Sequence, residues 1–275
     1  MPDASFYRAF EDRHRGPRDL IKSRARAYLP FVMPLLKLHG VVAVLDMGCG
    51  RGEWLELMGE EGFTTHGVDL DAGMLTACRE RGLSVEQGDA LEALKRLPDA
   101  SQCVVSGFHI AEHVPFAVLQ EMVAEALRVL KPAGLLILET PNTENLVVGS
   151  SSFYLDPTHR RPLPPSLLSF LTEYAGFFRS KILRLQEPQE LTAPGARVSL
   201  LQVLSGVSPD YAVVAQKAAP TDDLARFDAP FGREYGLTLA ALAARYEADL
   251  RAEFLRELRP PRKRTTGAAR KNQRS

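Results

Sequence analysis

The stretch Val44-Leu45-Asp46-Met47-Gly48-Cys49-Gly50-Arg51-Gly52-Glu53-Trp54 decides the fold. An apolar, β-rich run, Val41–Leu45, gives way here to a segment from Glu53 that reads as helix, and three alternating glycines sit at the junction. Glycine turns the backbone through positive φ and leaves no Cβ between main chain and ligand, so a nucleotide-like molecule can lie against bare amides at a helix N-terminus. Glycine-rich turns also arise for structural reasons, so the residues that follow must decide.

Strands and helices alternate beyond this point. Strands are expected at Thr64–Val68, Ser84–Gln87, Gln102–Gly107, Leu135–Glu139, Lys181–Leu185 and Tyr211–Ala218. Helices are expected at Glu53–Glu61, Ala72–Arg81, Leu91–Leu97, Ala117–Val129 and Ser166–Ala175. This pitch implies an α/β fold, a doubly wound, mostly parallel sheet with right-handed crossovers. Residues 5–38 show helical spacing, broken by Arg15-Gly16-Pro17 and trimmed by Pro30 and Pro34. Asn142–Pro165 reads as a long irregular segment, and such loops are usually functional. Leu191–Ser205 reads as an insertion without an assigned structure. The expected division is a helical lid over 1–40, a ligand-binding domain over 41–219, a linker (Pro220–Gly232) and an amphipathic helix within 220–258, and a basic tail over 259–275. Leu239, Leu242, Tyr246, Leu250 and Leu258 form that helix's stripe, which can pack on its own domain or on a partner helix.

Composition sets the outer limits. At 275 residues, 45% hydrophobic and 25% charged, the chain has globular values and can bury one sizeable core. No apolar run reaches 18 residues, and Met1–Arg18 lacks the apolar core of a signal peptide. Cys49, Cys78 and Cys103 are odd in number and widely spaced, which suggests a reducing cytosol and neither disulfides nor a zinc site. The net charge of zero hides a division, because Arg259–Ser275 holds seven Lys/Arg and no acid. The body is thus mildly acidic, which argues against a nucleic-acid-binding core. The tail reads as solvated and disordered.

In an open α/β sheet the ligand lies beyond the carboxyl ends of the strands. The second strand ends in Val68-Asp69-Leu70, with Asp69 17 residues past Gly52. A carboxylate there is the usual partner of two ribose hydroxyls. The third ends in Gly88-Asp89-Ala90 and the fourth in Gly107-Phe108-His109. A solvated loop Asp is the bland account of each acid taken singly; three successive strand ends with this chemistry argue otherwise.

Asp46-x-Gly48-x-Gly50-x-Gly52, Asp69, the Gly88-Asp89-Ala90 step and Leu130-Lys131-Pro132-x-Gly134 resemble the class I S-adenosylmethionine-dependent methyltransferases, whose sheet is Rossmann-like and seven-stranded. The resemblance runs from about residue 40 to 145. It implies S-adenosyl-L-methionine as cofactor. Asp46 and the amides of Gly48, Cys49, Gly50 and Gly52 would face its methionine part, Asp69 its ribose and Asp89 its adenine amine. Leu70 and Ala90 would sandwich the ring, Phe108 and His109 would lie near the sulfonium, and Arg15 on the lid would pair with the carboxylate.

A hydroxyl acceptor needs a base, and a histidine braced by a carboxylate serves best. Three of the six histidines fall in His109-Ile-Ala-Glu112-His113 and Asp156-Pro-Thr-His159. His159 with Asp156 is the first choice for base. His109 reads as a lining residue, and His113 reads equally as structural or catalytic. Arg160 and Arg161 are candidates for gripping an anionic group. Metal use is the main rival. His109, Glu112 and His113 share a face if helical, and Glu139, Asp156 and His159 add donors. The set matches no strict ligand signature, so no metal ligand is assigned and magnesium is held only as a possibility.

Ser5–Arg13, Gly107–His113, Glu139–Asn145 and Phe153–Pro164 further resemble a bacterial methyltransferase group that accompanies surface-polysaccharide (O-antigen) biosynthesis. That resemblance implies a sugar hydroxyl as acceptor, a glycosyltransferase or self-association through the C-terminal helix as partner, a cytoplasmic location and at most peripheral membrane contact through the tail. A small-molecule acceptor such as a quinone is the alternative. A cofactor-binding partner protein with secondary catalysis is a third reading, against which the intact glycine loop, Asp69 and Asp89 stand.

Overall fold

A computed structural model describes residues 16–193 and 195–258. Seven strands form one sheet: β1 (Ala43–Met47), β2 (Thr64–Asp69), β3 (Val85–Gln87), β4 (Gln102–Phe108), β5 (Leu130–Pro141), β6 (Arg179–Leu185) and β7 (Asp210–Gln216). Their order is β3-β2-β1-β4-β5-β7-β6, parallel throughout except that β7 runs antiparallel to both neighbours. Every residue of β4 from Gln102 to Gly107 is buried, as a strand covered on both faces requires. One apolar cluster, with Leu45, Val105, Leu136 and Val213, packs beneath the helix Phe116–Val129. A second, with Val44, Val104, Ile137 and Val214, packs on the other face against Tyr28, Phe31 and Trp54.

Helix starts follow local chemistry. Asp71, Asp89 and Asn145 accept hydrogen bonds from the first amides of the helices Ala72–Glu80, Ala90–Arg96 and Leu146–Ser150. Ser199 and Gln202 make a capping box on Leu200–Ser205. Gly176 ends Pro165–Ala175 with φ of 103°.

Gly67 on β2 shows how tightly the sheet meets its helices. A Cβ there would stand 2.6 Å from Leu55 Cδ1 and 2.7 Å from Cys49 Sγ. Gly67→Ala is therefore expected to cost about 1–3 kcal/mol through overpacking, read as a lowered thermal midpoint.

The expected elements are present with shifted ends, the largest shift being β5, which begins at Leu130. Leu130 pairs with Gln102 before a register shift, and Ala133 sits at φ of 60°. The segment read as a linker, 220–232, instead carries helices Thr221–Ala225 and Asp228–Gly232 and buries Phe227. The phenyl belongs to the cluster that holds Phe31, so packing and not composition sets this segment's state. The 191–205 segment buries Leu191, Val198 and Val203 against Leu242 of the last helix, Leu239–Glu257. The first half of that helix thus packs on its own chain, while Phe254, Leu255 and Leu258 are exposed. No helix of the described residues is long and apolar enough to cross a membrane. The basic tail, Arg15 and any helix before it lie outside the described residues.

Candidate active site

The chain runs outward from β1 to β3 and then reverses to β4 and β5, so the sheet's switch point lies between β1 and β4. A cleft opens beyond the strand ends at such a point. Here it is a cavity of about 610 Å³. Register explains what meets there. Met47 pairs with Gly107, which sets the glycine loop beside Phe108 and His109. Phe108 pairs with Glu139. Antiparallel β7 starts at the same edge, so Asp210, opposite Pro141, joins them.

The glycine loop is built by backbone demands. Gly48, Gly50 and Gly52 have φ of 67°, 52° and 75°. Gly48 and Cys49 amides donate to the Val68 carbonyl (2.8 and 3.1 Å). The Gly50 amide donates to Asp69 Oδ2 (2.8 Å) and the Asp71 amide to Asp69 Oδ1 (2.8 Å), so Asp69 locks the loop as well as facing the cavity. Asp46 is buried and accepts from Ser106 Oγ (2.7 Å). Asp89 Oδ1 caps the helix Ala90–Arg96 (2.9 and 3.0 Å). Leu70 lines the cavity although 70% exposed.

Thirteen of the fifteen site residues expected from sequence line this one cavity: Asp46, Gly48, Cys49, Gly50, Asp69, Leu70, Asp89, Ala90, Phe108, His109, His113, Asp156 and His159. Arg15 lies outside the described residues. Gly52 is absent from the lining. It caps the helix Glu53–Glu60 in a left-handed conformation, and a Cβ there would stand 2.6 Å from Leu83 Cδ1. Its requirement for glycine comes from that left-handed turn and from packing.

Over the cavity lies the helix Arg18–Ala25, which contributes Ile21, Arg24 and Ala25 to the wall. Arg18 Nη1 donates to the Arg51 carbonyl (2.5 Å), and its other nitrogen pairs with Glu56, which also accepts from Lys22 Nζ (3.0 Å). These contacts strap the lid to the glycine loop.

The opposite end is a dense hydrogen-bonded cluster. His109 sits at φ of 54°, and its amide donates to the Glu139 carbonyl (2.9 Å). The segment from His109 to His113 is a turn and not a helix. Its Nδ1 meets Glu112 Oε1 (3.2 Å), while Nε2 lies 3.5 Å from Glu139 and 4.0 Å from Asp210. Burial pulls the His109 imidazole toward neutrality, but its bonds to Glu112 and Glu139 and the nearby Asp210 outweigh this. They hold its pKa well above the usual histidine value. These contacts favour the protonated form of the His109 ring. Burial, with Glu139 and Glu112 adding to it and His109 opposing, pushes Asp210 up to about 6.

Glu112 is fully buried, and Oε2 accepts from Thr140 Oγ1 (2.9 Å). Burial disfavours its charge, but the contacts with His109 and His113 leave its pKa below the ordinary value. His159 Nδ1 lies 2.6 Å from the Phe153 carbonyl, which only accepts, so that nitrogen carries a hydrogen and, in the neutral ring, Nε2 has the lone pair. Thr158 Oγ1 donates to Asp156 Oδ1 (2.6 Å), so His113 Nδ1 must donate to Thr158 Oγ1 (2.9 Å). Burial, and the neighbouring His159 and His109, depress the His113 pKa against the pull of Glu112 and Asp156. His113 and His159 stack edge to face at 4.7 Å between centroids.

Sequence reasoning missed Tyr28, Arg24, Gln186 and Asp210. Tyr28 is buried, donates its hydroxyl to Glu139 and packs on Trp54 and Phe108. Gln186 ends β6 at φ of 65° and reaches Glu139 Oε1 (3.4 Å). The Arg pair expected to grip an anion has structural contacts instead. Arg160 Nε donates to the His113 carbonyl (2.9 Å), and Arg161 lies over the Phe116 ring at 4.9 Å.

Comparison with known proteins agrees with this architecture. Residues 44–134 match the family model of a methyltransferase domain. A crystal structure of a SAM-dependent methyltransferase from Archaeoglobus fulgidus is 35% identical, covers 77% of this chain and 100% of its own, and superposes with a TM-score of 0.68. The chain belongs to the S-adenosylmethionine-dependent methyltransferases, and S-adenosyl-L-methionine is the cofactor of that class. A probable S-adenosylmethionine-dependent methyltransferase of Mycolicibacterium smegmatis is 34% identical over 134 residues, 49% of this chain and 51% of that relative. A ubiquinone biosynthesis O-methyltransferase of Nitrosococcus oceani is 30% identical over 121 residues, 41% of this chain and 50% of that relative. The chain spans about half the length of these curated relatives.

Proposed function

We propose that this methyltransferase acts on oxygen, transferring a methyl group to a hydroxyl, with a sugar as the first acceptor to test. The convergence of His113 and His159 at one end of the cavity, with the buried Glu112 behind them, carries this reading. A hydroxyl is a poor nucleophile until its proton is taken, and a positioned imidazole is suited to take it. When bound, S-adenosyl-L-methionine supplies a methyl carbon made electrophilic by its positively charged sulfur.

The chain's own residues would do the rest. Asp46 and the loop at Gly48–Gly50 would hold the methionine part, Asp69 the ribose hydroxyls, Leu70 and Ala90 the adenine faces, and Asp89 its amine. The glycine cradle fits such a group, because a side chain at residue 48 would meet Ile110 at 3.2 Å and strain the loop. His159, whose Nε2 faces Asp156 at 3.8 Å and Glu112 at 4.0 Å, would activate the acceptor hydroxyl.

Glu139, Asp156 and Asp210 line this end, and carboxylates are the acceptors that a neutral polyol's hydroxyls require. The second reading is a hydroxylated quinone precursor, favoured by the ubiquinone O-methyltransferase relative. A methyl-donor turnover screen against lipid-linked sugars, nucleotide-linked sugars and hydroxyquinones, read by mass spectrometry, separates the two. A methyl ether on a sugar is expected. Methylation confined to quinones overturns the sugar assignment, and methylation confined to nitrogen or carbon overturns both.

A further inference from the structure

We infer that Gln186, with Asp210 beside it, determines acceptor specificity by binding a second hydroxyl of the acceptor, remote from the oxygen that is methylated. The identity of the reacting atom rests on the O-methyltransfer reading; the subsite does not.

Strand order separates this pair from the methyl donor. Neighbouring strands lie about 4.8 Å apart, so the steps from β2 through β1, β4 and β5 to β7 set Asp210 roughly 19 Å along the sheet from Asp69. A donor with its ribose at Asp69 and its sulfonium near Phe108 ends at β4. Gln186 and Asp210 nevertheless line the same cavity. Leu185 pairs with Asp210, the first residue of β7, so Gln186 stands one residue beyond the last rung of that ladder. Glu139 Oε1 lies 3.4 Å from Gln186 Nε2 and 3.5 Å from His109 Nε2, which in turn stands 4.0 Å from Asp210 Oδ1. The two side chains therefore meet at one corner of the cavity.

The backbone at Gln186 is of a kind that a residue with a Cβ ordinarily avoids. Its φ is 65°, in the left-handed region that is open to glycine and disfavoured for other residues. Of the four non-glycine residues with positive φ among those described, two are alanines outside the cavity lining. The other two, His109 and Gln186, both line it. Such conformations persist where the surroundings over-determine them, and they gather at ligand sites. A glycine would relax this turn at the end of β6, yet the chain places a carboxamide there.

Both side chains have hydrogen-bonding capacity to spare. Among the described residues no donor bonds the Asp210 carboxylate, although its side chain is only 17% exposed. The Gln186 carbonyl oxygen has no partner there either, and its one N–H contact, to Glu139, is long. A largely buried acceptor without a donor is unfavourable, and a ligand hydroxyl relieves it. The hydroxyl can donate to Asp210 and accept from the Gln186 amide, which also offers an acceptor of its own. A corner built this way rejects an analogue that lacks the group, because the polar atoms are then left unpaired.

Gln186→Gly removes the carboxamide and suits the left-handed turn, so its thermal midpoint is expected to rise; a lowered midpoint overturns the strain at this residue. The full chain, loaded with S-adenosylhomocysteine, is titrated in two arms followed by nuclear magnetic resonance. Methyl glucoside is compared with its monodeoxy analogues, and hydroquinone with phenol. In at least one arm the parent chain is expected to bind the complete probe about tenfold or more tightly than an analogue short of one hydroxyl. In Gln186→Gly that ratio is expected to fall near one, with S-adenosylhomocysteine affinity unchanged. Asp210→Asn, which trades one acceptor oxygen for a donor, is expected to lower the same ratio. A ratio that survives in Gln186→Gly, an equal loss of S-adenosylhomocysteine affinity, or no preference by the parent chain in either arm overturns the assignment. Methylation of a hydroxyl by both chains with one and the same preference keeps the O-methyltransfer reading and removes Gln186. Loss of the preference in Gln186→Gly, with no hydroxyl methylated in the turnover screen, keeps Gln186 and removes the O-methyltransfer reading.

Discussion

Asp69→Ala is expected to abolish S-adenosyl-L-methionine binding in a calorimetric titration. Hydrogen bonds to a charged group are worth about 1.5–3 kcal/mol each, and two ribose hydroxyls would share this carboxylate. Their loss corresponds to roughly 10²–10⁴ in affinity. A second effect adds to the first, because the Gly50 and Asp71 amides lose their acceptors and the loop loses its lock. Asp69→Asn separates the two. Its single carbonyl oxygen can serve one of those amides but not both, so intermediate affinity is expected. Unchanged affinity in Asp69→Ala would remove Asp69 from the cofactor site.

His159→Ala is expected to lower the rate of methyl transfer by about 10²–10⁴ while leaving cofactor affinity unchanged. The imidazole is held on three sides, by the Phe153 carbonyl, by the Phe153 ring at 4.5 Å and by His113. Such bracing positions one nitrogen. The truncation removes the imidazole proposed to take the acceptor's proton. Single-turnover rates beside calorimetry check this, and a full rate with the variant removes His159 from the chemistry.

The glycine-loop end of the cavity was legible in the sequence because its requirements are local. Positive φ at Gly48 and Gly50, a carboxylate at the end of β2 and a cap at Asp89 each lie within a few residues of the strand end that needs them. The acceptor half is assembled at long range. Tyr28 reaches Glu139 across 111 positions, and Asp210 arrives because β7 runs backward into the edge where the parallel strands leave. His109 reads as a lining residue in the sequence; only the carboxylates that the fold brings around it raise its pKa. Arg160 and Arg161 show the converse. Their charges suggest a ligand, and their contacts in the fold are a carbonyl and a phenyl ring.

The reversed strand β7 has a consequence for how the molecule can diversify. In the proposed arrangement the methyl donor is held by residues between Asp46 and Ala90, whereas the other end of the cavity is lined by His109, His113, Asp156, His159, Gln186 and Asp210. Donor and acceptor recognition therefore occupy successive stretches of chain that share one floor of parallel strands. The segment from Gln186 to Asp210, which leaves the cleft at β6 and re-enters it at β7, can change length and sequence without disturbing the glycine loop. Acceptor choice is in this sense an accessory written into the second half of the chain, on a donor platform complete by the end of β4.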